Sequence, residues 1–251
     1  MRAQYTQPPL LDVRPTKHPA PYSMQLLPVM ARMIRLIGAT NILDPMAGTG
    51  RIFRLWDWLD PASVRISALE LEPEFAEQHN RVRLGDATAM PYADGSFDCI
   101  VTSPAYGNRM ADGPMPSDTK PGLDKVVQRK RRLKYAAAVG RKLHPNNGGG
   151  MQWGQKYRDL HMKVLAECAR VLGEPSDERP QLGFVLNMKN HIRDGKEVDV
   201  IGWWVEALGA YDFELVRRED VPVRSMRWGA NSELRVEMEA VMLFLIRNGS
   251  W

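Results

Sequence analysis

Apolar residues recur at helical spacing in MQLLPVMARMIRLI (24–37), with Pro28 near the first turn, and predict an amphipathic helix. The period then changes. A short strand from Asn41 to Leu43 enters a glycine-rich turn, with a helix expected from about Arg51. VRISALELEPEFAEQHN (64–80) reads as a second strand and then a helix opened by Pro73 and acidic residues. A third strand is expected near Val82 to Leu84, and a turn at Asp94 and Gly95 precedes a fourth from Phe97 to Thr102. Further on, Leu160, Val164, Leu165, Cys168, Val171 and Leu172 fall on one helical face. QLGFVLNM reads as a buried strand, VDVIGWWVEALGAY as a helix, FELVRRE as a strand and EAVMLFLI as the last strand. Strands alternating with helices predict an α/β fold with a mainly parallel sheet covered on both faces.

The chain has 251 residues, enough for one large domain or one domain with an insertion. The insertion is visible as a break in rhythm between about Gly107 and Gln155, a stretch that ends in NNGGG. Charge sharpens this boundary. Lys120 to Lys142 holds nine basic residues against one acid, a local +8 that leaves the rest of the chain at −4 within a total of +4. Such a segment suits a polyanion partner, or serves only as a solvated surface loop. No apolar run approaches the length of a membrane span, and residues 1–23 carry no secretory-type apolar region. The two cysteines, Cys99 and Cys168, lie in apolar patterns and behave as small core residues; without more thiols or histidines at ligand spacing they give neither a disulfide nor a metal site. A reducing cytoplasm is the expected compartment.

The candidate chemistry begins at LDPMAGTGR. Gly48 and Gly50 let backbone approach a ligand closely, whether a phosphate or nothing more than a tight connection. No Gly-Lys-Ser/Thr follows, so this is not a Walker loop. About twenty residues on, Glu70 ends the second strand, where an acid can accept from both hydroxyls of a ribose. Asp86, in GDA with Ala87, ends the third and can accept from an adenine amino group. In this order the three positions fit a nucleoside-bearing cofactor. The fourth strand runs into Ser103-Pro104-Ala105-Tyr106, at the strand end where open parallel sheets bind ligands.

Together these runs resemble the class I methyltransferases that use S-adenosylmethionine (SAM), and more narrowly the exocyclic-amino methyltransferases of nucleic acids. Those carry Asp-Pro-x-x-Gly-x-Gly and, after the fourth strand, Asn/Asp/Ser-Pro-Pro-Tyr/Phe. Here the motifs stand as Asp44-Pro45-Met46-Ala47-Gly48-Thr49-Gly50 and Ser103-Pro104-Ala105-Tyr106, and KHPAPYS (17–23), with His18 and Pro19, resembles the family's upstream cofactor-side motif. The resemblance implies a single Rossmann-like domain over 1–251, a seven-stranded mostly parallel sheet, and an inserted target-recognition segment over 107–155. It implies SAM as cofactor, held by His18, Pro19, Asp44, Pro45, Ala47, Gly48, Gly50, Glu70, Asp86 and Ala87. It makes Ser103, Pro104 and Tyr106 catalytic: two acceptors for the amino hydrogens and a ring that stacks on an extruded base. DNA is the expected partner, met by Asn108 and Arg109 beside the loop and by Arg129, Lys130, Arg131, Arg132 and Lys134 on phosphates. Serine in the first motif position leans to cytosine N4 over adenine N6. A restriction nuclease as partner, and a monomer or a homodimer, are equally compatible with the family.

Ala105 stands where the family has its second proline, a change expected to loosen the loop. Two other functions compete: a tRNA guanine-N2 methyltransferase, for which residues 1–40 are short for an added RNA-binding domain, and a fold that binds nucleic acid or SAM without turnover. Trp153, Tyr157 and His161 follow the glycine run and are expected to pack more than to line a base pocket.

Overall fold

The computed structural model describes residues 22–107, 135–177, 181–193, 195–223 and 236–246. Its helices are α1 (Leu27–Leu36), α2 (Pro73–Ala76), α3 (Tyr135–Val139), α4 (Gln155–Leu172) and α5 (Val200–Gly209). Its strands are β1 (Asn41–Asp44), β2 (Arg65–Glu70), β3 (Val82–Leu84), β4 (Cys99–Thr102), β5 (Gly183–Met188), β6 (His191–Arg193), β7 (Lys196–Val198), β8 (Phe213–Pro222) and β9 (Met238–Ile246). The main sheet has seven strands in the order β3-β2-β1-β4-β5-β9-β8. Pairing is parallel from β3 to β5, and β9 lies antiparallel to both of its neighbours.

The central strands read as unbroken apolar runs because both of their faces are covered. Successive side chains alternate between two cores. Leu43, Leu69, Ile100, Phe184 and Leu186 pack on one side with Val164, Leu165, Cys168 and Leu172 of α4 and Trp204 and Leu208 of α5. Ile42, Ala68, Cys99, Val101 and Val185 pack on the other with Leu27, Met30, Met33 and Ile34 of α1. Both cysteines are free and fully buried, as their apolar settings predict. Among the described residues no helix is long and apolar enough to cross a membrane.

The helix expected from about Arg51 is present and is a 3-10 helix, Arg51–Asp57. Ile52, Phe53 and Trp56 are weak helix formers, and the run is short. Beyond β5 the chain makes a small hairpin, β6–β7, that hydrophobic period alone does not reveal; the Asp-Gly pair at 194–195 was its sequence signal.

Chain order fixes where a ligand belongs. From β1 the chain runs outward through β2 and β3, then returns to place β4 on the other side of β1. The β1/β4 boundary is therefore a topological switch point, and in open α/β sheets ligands bind outside the carboxyl ends of the strands there.

Candidate active site

The two sequence motifs leave the sheet side by side at this switch point. Asp44 closes β1, Thr102 closes β4, and the Thr102 hydroxyl donates to Asp44 Oδ1 at 3.0 Å. Asp44 is fully buried and also accepts from Met46 N (3.1 Å, Oδ1) and from the Tyr22 hydroxyl (2.9 Å, Oδ2). One carboxylate thus joins the upstream segment, the glycine turn and the fourth strand. Arg51 adds a second tie, donating to the Tyr22 carbonyl at 2.6 Å.

Burial pushes the Asp44 carboxyl up to about 6, against the pull of its three donors. A raised acid holds its proton more tightly in the folded than in the unfolded chain. Its contribution to stability is complete below about pH 4 and is lost as pH rises through about 6. His161, which burial pushes down to about 4, works in the opposite sense. Because His161 is common to wild type and variant, the difference between the two isolates Asp44. Thermal melts should show Asp44→Asn gaining on wild type by about 1.4 kcal/mol between about pH 5 and pH 7.5.

The glycine turn is sewn to β2. Ala47 N donates to the Leu69 carbonyl at 2.9 Å, and Gly48 N donates to Glu70 Oε2 at 2.8 Å. Gly48 and Gly50 hold φ of 56° and 78°. A Cβ on Gly50 would lie 2.9 Å from a Val82 methyl and 3.0 Å from His79 Cβ. Gly50→Ala should therefore cost about 1–3 kcal/mol in chemical denaturation, through left-handed strain and overpacking.

Glu70 is buried at the β2 tip, and its other oxygen accepts from Glu72 N at 2.9 Å. Burial pushes it up to about 7, although those N–H groups favour the ionised form. Asp86 lies two residues past β3. Its Oδ1 accepts from the Thr88 amide and hydroxyl, both at 2.8 Å, and its Oδ2 from Asn146 Nδ2 at 2.7 Å. Burial alone would raise Asp86, but these donors outweigh it and hold the carboxyl below its ordinary value.

Asn146 belongs to the described half of the inserted segment, which folds back onto the β2 and β3 tips. Buried Glu72 accepts from His144 N (2.9 Å) and Asn147 Nδ2 (2.8 Å), and it pairs with Arg141 at 2.8 Å. Arg141 also grips Glu74 through two contacts of 2.7 Å, and Tyr135 packs edge-on against Phe75. This docking has no signature in the local pattern, because its partners are drawn from two segments far apart in the chain.

On the other side of the switch point, Ser103 to Gly107 is held from three directions. Asn187 Nδ2 of β5 lies 3.1 Å from Ser103 Oγ and 3.1 Å from the Tyr106 hydroxyl. That hydroxyl donates to Glu239 Oε2 of β9 at 3.1 Å. Tyr157 of α4 donates to the Ala105 carbonyl at 2.6 Å, and Trp153 N to the Gly107 carbonyl at 2.8 Å. The loop, expected to be loose at Ala105, is thus clamped there by a buried tyrosine. Tyr157 and His161 do pack, as expected, and Tyr157 also supports the loop. Burial, and the Glu239 carboxylate beside it, push the Tyr106 phenol well above its ordinary range.

Of the residues predicted from sequence, Asp44, Pro45, Ala47, Gly48, Gly50, Glu70, Asp86 and Ala87 lie on the tips of β1 to β3 or just beyond them, and Ser103, Pro104 and Tyr106 follow β4. His18, Pro19, Asn108, Arg109, Arg129, Lys130, Arg131, Arg132 and Lys134 lie outside the described residues. Sequence reasoning missed Tyr22, Asn146, Asn187 and Glu239. Asn187 had a signal, a lone amide inside an apolar strand; Glu239 had none.

No family model matches this chain, and no curated protein matches it. Solved structures do. A candidate sarcosine dimethylglycine methyltransferase from Galdieria sulphuraria is 12% identical over 90% of this chain and 86% of its own, with a TM-score of 0.53. The fold is the Rossmann-like class I methyltransferase fold. The YcgJ protein from Bacillus subtilis aligns at 13% identity over 89% and 98% of the two chains, with a TM-score of 0.50. The [4+2]-cyclase SpnF aligns at 14% identity over 89% and 80%, with a TM-score of 0.51. A fold that also carries a cyclase does not fix a reaction, so the reaction must be argued from the site.

Proposed function

We propose that this protein transfers the methyl group of SAM to an exocyclic amino group of a base in DNA, cytosine N4 ahead of adenine N6. The observation that carries this reading is the junction at the switch point. The glycine turn and the Ser103–Tyr106 loop leave adjacent parallel strands and are tied together through Thr102 and Asp44.

The residues present fit the cofactor. Gly48 and Gly50, both at positive φ, leave bare backbone at two positions of the turn. Each Glu70 oxygen takes one N–H, leaving capacity to accept ribose hydroxyls. Asp86 holds Asn146 on the oxygen with remaining capacity, the position suited to an adenine amino group. When bound, SAM supplies an electrophilic methyl on a sulfonium, which needs no metal.

The chain's own residues then act on the amine. An exocyclic amino nitrogen is a poor nucleophile because its lone pair is delocalised into the ring. Accepting its hydrogens at the Ser103 hydroxyl and the Pro104 carbonyl favours a more tetrahedral nitrogen and holds it in line. Proline restricts the backbone at that carbonyl. The base must leave its duplex to reach the loop, at a cost of a few kcal/mol, and the Tyr106 ring offers it a stacking surface. The basic residues at 129–134 supply phosphate contacts in this reading.

The test is tritiated methyl transfer from SAM to DNA and to RNA oligonucleotides, with Tyr106→Ala as control. Label in DNA that the variant fails to incorporate supports the proposal. Label confined to RNA contradicts the choice of DNA, and equal incorporation by both proteins contradicts an enzymatic role for this loop.

A further inference from the structure

The resemblance that names Ser103 and Tyr106 says nothing of the two side chains behind them. Asn187 is 1% exposed inside β5. Its Nδ2 stands 3.1 Å from Ser103 Oγ, from the Tyr106 hydroxyl and from Glu239 Oε2. An amide has two hydrogens for these three acceptors. Tyr106 already donates to Glu239 at 3.1 Å, so the amide hydrogens are best used by the two hydroxyl oxygens. Each hydroxyl oxygen then keeps one lone pair. Ser103 Oγ lies 3.5 Å from the Tyr106 hydroxyl, at the outer limit of a hydrogen bond, and its own hydrogen can point there. Asn187 Oδ1 is buried with no hydrogen-bond partner among the described residues. An unpaired buried acceptor is costly, and the amide is held in this place by its donor side alone.

We propose that Asn187 and Glu239 are positioning residues for a proton path that runs from the target amine through Ser103 and Tyr106 to the Glu239 carboxylate, an inference that rests on the methyl-transfer function proposed above. The donor and acceptor directions agree along its length. The Ser103 oxygen accepts from Asn187 and from the amine and donates to Tyr106; Tyr106 accepts from Asn187 and Ser103 and donates to Glu239. As the nitrogen gains its bond to the methyl carbon, the carbon–sulfur bond of the donor breaks and that electron pair stays on sulfur. The nitrogen then sheds one proton. Ser103 takes it and passes its own to Tyr106, which passes its own to Glu239. Serine and tyrosine end neutral, and the carboxylate ends as a carboxylic acid. Glu239 is partly exposed near the start of β9, so the proton can leave to water. A phenol held well above its ordinary range by burial and by Glu239 relays a proton without standing ionised.

The test compares wild type, Glu239→Gln and Glu239→Asp in single-turnover methylation of DNA, with SAM affinity measured alongside. Glutamine keeps the size and a hydrogen-bonding oxygen but cannot take the proton. It should lower the transfer rate about tenfold to a hundredfold, with KM for DNA and Kd for SAM little changed, and Glu239→Asp should recover part of the rate. Should Glu239→Gln not fold, Tyr106→Phe breaks the same path and should show the same split. A second readout needs no turnover. In protein with 13C at tyrosine Cζ, Glu239→Gln should move the Tyr106 resonance, assigned by its loss in Tyr106→Phe, and leave that of Tyr157 in place. An unmoved Tyr106 resonance contradicts the link to Glu239 whatever the activity. A wild-type rate in Glu239→Gln, or a change in KM alone, overturns the proton path and leaves methyl transfer standing. A wild type that methylates no nucleic acid overturns the parent function and the path with it.

Discussion

Tyr106→Ala is expected to lower DNA methylation by about a hundredfold or more while SAM affinity stays nearly unchanged. Two losses combine. The ring that would stack on the extruded base goes, and the hydroxyl that meets Asn187 and Glu239 goes with it. The substitution leaves the anchors of the glycine turn in place, because Ala47 N and Gly48 N are held by Leu69 and Glu70 and the tie to β4 runs through Thr102 and Asp44 rather than through Tyr106. Tyr106→Phe divides the effect, since phenylalanine keeps the stacking face and lacks only the hydroxyl. Initial rates at saturating DNA, paired with calorimetric titration of SAM, check the prediction. A matching fall in SAM affinity would mean that the loop supports the cofactor and not the base.

Glu70→Ala should produce the complementary defect. The Glu70 carboxylate accepts from Gly48 N and from Glu72 N, so its removal strips two buried amides of their acceptor as well as the expected ribose partner. Hydrogen bonds to a charged group contribute about 1.5–3 kcal/mol each. A weakening of SAM binding by about a hundredfold, near 3 kcal/mol, is the expected result in calorimetric titration. Glu70→Gln, which keeps one oxygen acceptor, should fall between.

The parts of this molecule legible in its sequence are those written in consecutive residues. The strand–helix alternation of the parallel sheet is one, because burial on both faces turns Cys99–Thr102 and Gly183–Met188 into continuous apolar runs. The two motif loops are another, since glycine at positive φ and a proline after a strand each have local causes. What could not be read is what meets through space. The Tyr106–Glu239 contact spans 133 positions and Asn146–Asp86 spans 60, and neither has a periodicity to announce it. Asn187 stood in plain view as an amide in an apolar strand, but only the placement of β5 beside β4 supplies its partners. The basic residues expected on phosphates, Arg129 to Lys134, lie outside the described residues. The described part of the insertion, from Tyr135 to Gly150, engages acids just beyond β2 and β3, which no local pattern announces.

Nucleoside mass spectrometry of DNA incubated with the wild-type protein and SAM carrying a deuterated methyl group tests the central claim most directly. The account predicts the deuterated methyl on an exocyclic nitrogen, on cytosine N4 ahead of adenine N6. Label on a ring carbon, or none in the DNA at all, would contradict it.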